Sequence, residues 1–261
     1  MSWLNLSTAL AGLVGVGPCL HAWKSLGRAG LRDQRRLNLA GLVILAVVWL
    51  VMVPATLFLW RQGLEAPWVF GAETYDGGVV ETATGLGLAA AALLALRQSV
   101  RSSDGLRTVF WGGISALAVL AFGEETSWGQ HLFQWSATGV FATANLQAET
   151  NLHNFISPRL YDVAYAAVGW GIIAFAAAVS FRPRRLAGLH RYSPFPQPSP
   201  VGIALLVSGG VLIQHERFEE LAEAVVIASF VFIQARQFLA DRAIGLEQSA
   251  AMGPGGARNP A

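Results

Sequence analysis

An all-α transmembrane bundle of about seven helices is the fold class the sequence predicts, and three observations predict it. Of the 261 residues, 54% are hydrophobic and only 13% charged, where a soluble domain of this size carries about a quarter charged residues. The apolar residues come in unbroken blocks of helical length rather than in strand-like alternation. The basic residues gather in every second connection between those blocks, as they do where short loops stay in the cytoplasm.

Taken in order, the blocks run from Trp3 to Trp23, Leu39 to Trp60, Val79 to Leu96, Val109 to Phe122, Leu160 to Phe181, Val201 to Ile213 and Leu221 to Phe238. The fourth and sixth reach spanning length only if the polar residues at their ends belong to the helix. KSLGRAGLRDQRR after the first block holds five basic residues, RQSVRSSDGLR after the third holds three, and RPRRLAGLHR after the fifth holds four. The alternate connections hold one each, Arg61, Arg159 and Arg217. The N-terminus is therefore expected outside and the C-terminus inside, in a bacterial inner membrane. Residues 1–242 read as a single membrane domain and 243–261 as a disordered cytoplasmic tail, with a proline-rich turn, SPFPQPSP, at Ser193 to Pro200. A net charge of +2 gives no reason to expect nucleic acid, and the single cysteine, Cys19, excludes an internal disulfide.

Acidic residues show the opposite bias and crowd the outer half. Depth follows from the rise of about 1.5 Å per helical residue. Glu124 lies 17 residues from Arg107, roughly 25 Å. His215 is 16 residues from Ser199, Glu220 is 16 from Arg236 and Glu81 is 16 from Arg97, each roughly 24 Å. In a hydrocarbon core near 30 Å, these ionisable groups sit at one level inside the outer edge of the apolar slab. Carboxylates at such depth face the bundle interior and are paired, protonated or metal-bound.

Local spacing sharpens this into a candidate site. If the fourth helix continues, Glu124, Ser127, Trp128 and His131 share one stripe, with Glu125 about 100° round. Glu149 and His153 are four apart in ATANLQAETNLHNFISPRLYD, which reads as an interfacial or re-entrant helix between the fourth and fifth spans. His215/Glu219 and Glu216/Glu220 are also four apart, unless the sixth helix ends near His215 and Arg217 and Phe218 form a turn. Imidazole with carboxylate and no thiolate is a ligand set for zinc, iron or manganese. Glu124, His131, Glu149, His153, His215 and Glu219 are thus expected as metal ligands, zinc being favoured, with Glu125, Glu216 and Glu220 as acid–base groups.

GEETSWGQ at Gly123 to Gln130, followed by NLQAETNLHN at Asn145 to Asn154, resembles the signature of a family of uncharacterised bacterial multi-pass membrane proteins. The resemblance covers about 30 residues in mid-chain and implies a membrane fold without an activity. The seven-helix zinc hydrolases of the alkaline ceramidase and adiponectin receptor group have a similar helix count, but HERFEE here offers one histidine where their last motif has two.

The site suggests a metal-dependent membrane hydrolase whose partners are membrane lipid and a lipid-like or lipid-linked substrate. A carboxylate-bridged di-iron oxidoreductase, an ion- or proton-coupled transporter, and a non-enzymatic subunit of a homo-oligomer or larger membrane complex are the alternatives.

Overall fold

A computed structural model describes residues 3–26, 35–64, 78–181 and 198–251, and it is all-helical over them. The acids Glu65, Glu73 and Asp76, much of the basic connections, most of the proline-rich turn and residues 252–261 of the expected tail lie outside the described residues.

Helix α1 covers Trp3–Leu26 and α2 covers Arg35–Arg61. Proline lacks an N–H and its ring crowds the carbonyl four residues back. In α2 that residue is Pro54, and the helix widens into a π turn over Val48–Met52 immediately before it. Helices α3 (Val79–Arg101) and α4 (Gly105–Glu125) form a hairpin. Asp104 caps α4, its Oδ1 accepting from the Leu106 N–H at 2.9 Å. Ser115 Oγ donates to the Ala92 carbonyl at 2.9 Å and Ser99 Oγ to the Thr108 carbonyl at 2.8 Å, so the two helices are also joined by polar bonds.

Helices α5 (Pro158–Ser180) and α6 (Pro200–Leu212) each begin on a proline, whose missing N–H costs nothing at that position. Helix α7 runs from Glu219 to Ala251, past residue 242, where the sequence reading ends the membrane domain. The centre of the bundle is α6. It is apolar all round, as a helix enclosed by others must be, and nearly every residue from Val201 to Gln214 is buried against α1, α2, α5 and α7. Glycine permits the closest crossing: a Cβ on Gly169 of α5 would stand 2.6 Å from the carbonyl oxygen of Gly210 in α6.

Four helical stretches, α2, α3, α4 and Arg159–Ser180 of α5, are long and apolar enough to cross a membrane. Ser7–His21 in α1 and Pro200–Leu212 are shorter apolar helices. Large apolar side chains face outward along the four long stretches, among them Leu50 of α2 and Leu93 of α3 at 75% and 68% exposure. A water-facing surface would not carry so many, and the protein is accordingly of the membrane type.

Between α4 and α5 the expected single helix is replaced by short turns at Ser127–Gly129, Gln130–Phe133, Val140–Ala144 and His153–Phe155. Ser127, Trp128 and Gly129 take positive φ in succession, followed by Gln134, Gly139 and Ala148. No helix can propagate through left-handed residues.

Candidate functional site: two polar centres at one end of the bundle

The C-terminus of α4 and the N-termini of α3, α5 and α7 meet at one end. Three helix dipoles thus point their positive ends there, and Glu81, Glu219 and Glu220 occupy first turns. Those three acids have a local electrostatic reason for their places, whereas Glu124 and Glu125, in the last turn of α4, do not.

The first centre is acidic. Glu125 from the last turn of α4 meets Glu220 and Glu223, which share a face of α7 at i, i+3. One oxygen of each lies within 4.8 Å of the others. The Tyr165 hydroxyl of α5 donates to Glu223 Oε1, and Tyr161, one turn earlier, packs edge-on against Tyr165 at 4.6 Å between centroids. Glu81 and Glu219 are within electrostatic reach of Glu220, and Glu219 also faces Asp162 and Glu216. Among the described residues this is the group of acids, histidines or cysteines whose donor atoms converge, and it contains no histidine.

The second centre joins GEETSWGQ to NLQAETNLHN. Glu124, one residue before Glu125, turns away from the acidic group. Its Oε2 accepts from the N–H groups of Leu152 at 2.6 Å and His153 at 3.2 Å, and His153 Nδ1 stands 3.6 Å from it. The Trp128 indole donates to its Oε1 at 3.1 Å.

Glu149 is buried, and its Oε2 accepts from Ser127 Oγ and Asn151 Nδ2, both at 2.7 Å, and from Asn154 Nδ2 at 3.3 Å. His131 Nε2 lies 3.3 Å from its Oε1. Gln130 Oε1 accepts from Thr150 N–H and Oγ at 2.7 Å. Asn145 Oδ1 accepts from the N–H groups of Gln147 and Glu149. These contacts build a loop: side-chain oxygens take the place of the carbonyls a regular helix would have supplied.

The residues expected as ligands (Glu124, His131, Glu149, His153, His215 and Glu219) and as acid–base groups (Glu125, Glu216 and Glu220) are therefore divided. His131 and His153 belong to the second centre with Glu149 and Glu124, while Glu125, Glu219 and Glu220 belong to the first with its neighbours. The stripe Glu124, Ser127, Trp128 and His131 does not form, because α4 ends at Glu125. His215 stands apart at the head of the 3-10 turn Glu216–Phe218, where its Nδ1 accepts from the Arg217 N–H at 3.2 Å and its ring lies against Phe218. The turn alternative for HERFEE is the one realised. Glu216 pairs with Arg217 at 3.6 Å in an exposed position.

Sequence reasoning missed Tyr165 and left Glu223 out of its ligand set. The signals were present: Tyr161 and Tyr165 are one turn apart, and Glu223 follows Glu219 and Glu220 at helical spacing. In the loop, Ser127, Gln130, Asn145 and Asn151 act through acceptor geometry that no spacing rule exposes. Comparison with known proteins gives no match, whether to a protein family, a curated protein or a solved structure.

Proposed function

We propose that the chain is a multi-pass protein of the bacterial inner membrane, related to the GEExSWGQ family, with seven crossings, the N-terminus outside and the C-terminus inside. In this reading the acidic centre holds a divalent cation and serves a hydrolase acting on a lipid or lipid-linked substrate. The approach of Glu125, Glu220 and Glu223 to within 4.8 Å is the observation that carries it. Three carboxylates this close require compensating positive charge, as a cation or as protons.

An all-oxygen donor set suits magnesium, manganese or calcium better than zinc, so the preference for zinc drawn from the histidines gives way. A cation bound there supplies Lewis acidity and an activated water. Glu125, Glu220 and Glu223 are the holding groups, Tyr165 orients Glu223 through its hydroxyl, and Glu81 and Glu219 are placed to take up a proton.

A second reading, proton- or ion-coupled transport, draws on a different observation. Gln98 Nε2 and both polar atoms of Gln234 are buried without a protein partner, toward the basic ends of α3 and α7. Buried amides of this kind accompany internal water, and they extend polarity inward from the acids.

Calorimetric titration of the detergent-purified protein with manganese separates the readings. Stoichiometric binding that disappears in Glu220→Gln/Glu223→Gln but persists in His153→Ala/His215→Ala supports the cation centre. Absence of manganese, magnesium and calcium binding, together with proton uptake by reconstituted vesicles, would favour transport instead.

A further inference from the structure

The Thr126–Ser157 connection has three properties that do not belong together in a loop standing in water. First, it contains no Lys, Arg or Asp and a single glutamate, Glu149, which is buried. Second, it presents large apolar side chains outward: Leu132, Phe133, Leu146 and Leu152 are 78%, 69%, 66% and 64% exposed. Third, the irregular backbone of its second half is satisfied from within. Every N–H from Leu146 to Thr150 donates inside the protein, to Asn154 O, Asn145 O, Asn145 Oδ1 or Gln130 Oε1, and Glu124 takes those of Leu152 and His153.

Water makes such internal bonding unnecessary, because solvent serves exposed N–H groups at little cost. In lipid, irregular chain persists only where its polar groups are already paired. The flanking spans are likewise exposed at large apolar residues, Leu117 and Leu120 on α4 and Leu160 and Val163 on α5.

We infer that this connection is a cap seated at the membrane interface of the acidic end, with Leu132, Phe133, Leu146 and Leu152 among the acyl chains and the exposed backbone of residues 135–139 at headgroup level, where water serves it. The inference rests on the chain crossing the membrane and is independent of whether the acidic centre holds a cation. The hydrogen-bonded network of Glu124, Gln130, Asn145 and Glu149 is then the device that lets an irregular segment enter lipid. Its two anchors, α4 and α5, carry Glu125 and Tyr165, so the cap stands beside the acidic centre and forms the lipid-side edge of it.

The test uses the full chain in a Cys19→Ser background with single cysteines in place of Leu132, Leu146 and Leu152, where the side chains stand clear of packing. Leu120→Cys is the in-bilayer reference and Ser103→Cys, in the exposed turn between α3 and α4, the aqueous one. Each is labelled with an environment-sensitive fluorophore and reconstituted in phosphatidylethanolamine–phosphatidylglycerol vesicles.

The cap positions are expected to emit to the blue of position 103, to be quenched by lipids carrying a nitroxide near the headgroup, and to lose quenching by aqueous iodide. Behaviour like position 103, with position 120 still quenched from lipid, would overturn the inference and return the loop to water. Protection from both quenchers would overturn it in favour of a protein partner, a second copy included. If position 120 also escapes lipid quenching, the membrane reading itself fails and the cap falls with it.

Discussion

In and against the cap, two glutamates are surrounded by donors: Glu149 of the loop faces a hydroxyl, two amides and an imidazole, and Glu124 at the end of α4 faces two backbone N–H groups and an indole. In the acidic centre, Glu125, Glu220 and Glu223 face one another, with one tyrosine hydroxyl among them. The same side chain is thus a structural fastener in one place and a source of electrostatic tension in the other, although Glu124 and Glu125 are neighbours in the chain. A carboxylate supplied with donors is needed for folding. A carboxylate pressed against its own kind costs stability unless a proton or cation joins it.

The largest effect expected from this contrast is at Glu149. Glu149→Ala takes the acceptor from the buried Ser127 hydroxyl and one of two acceptors from each of the Asn151 and Asn154 amides, at a cost of about 3 kcal/mol, read as a lowered Tm in detergent and as new proteolytic cleavage within 126–157. An unchanged Tm would mean that the cap is not held as described.

Glu124→Ala should cost less, about 2 kcal/mol, because the carboxylate is only partly buried. Its signature is faster hydrogen exchange at the Leu152 and His153 amides, with the remaining helices unaffected.

The acidic centre should respond with the opposite sign. Glu220→Gln/Glu223→Gln removes like charge while preserving shape and an acceptor for Tyr165. In metal-free buffer Tm is expected to hold or rise by up to about 2–4 °C, the shift of roughly 1 kcal/mol in a protein of this size. A clear fall would show that these acids are fasteners too, and the contrast would dissolve. The smallest effects belong to the histidines: His153→Ala, which gives up a half-exposed contact to Glu124, should cost under about 1 kcal/mol and leave manganese binding intact.

How much of this could be read beforehand differs residue by residue. The helical blocks are written in the chain because apolar periodicity and length are local properties, and counting residues from Arg107 to Glu124 and from Arg236 to Glu220 places both acids at one end of their helices. The pairing of His131 with Glu149 and of His153 with Glu124 was foreshadowed only as membership in one polar set. Its actual partners depended on three successive left-handed residues after Thr126, and Ser127 and Trp128 are not residue types that announce such a turn. His215 was drawn toward the glutamates by helical spacing, yet the turn at Glu216–Phe218 broke that spacing.

By itself, the sequence determined a greasy all-helical chain of the membrane type, with its acids collected at one end, because hydropathy and charge placement act through solvent and need no knowledge of neighbours. Only the tertiary structure decided which acids meet. Adjacent residues on a helix diverge by about 100°, so Glu124 and Glu125 were bound to face different company. Which company was set by where α4 stopped and by what α5, α7 and the returning loop brought to each side.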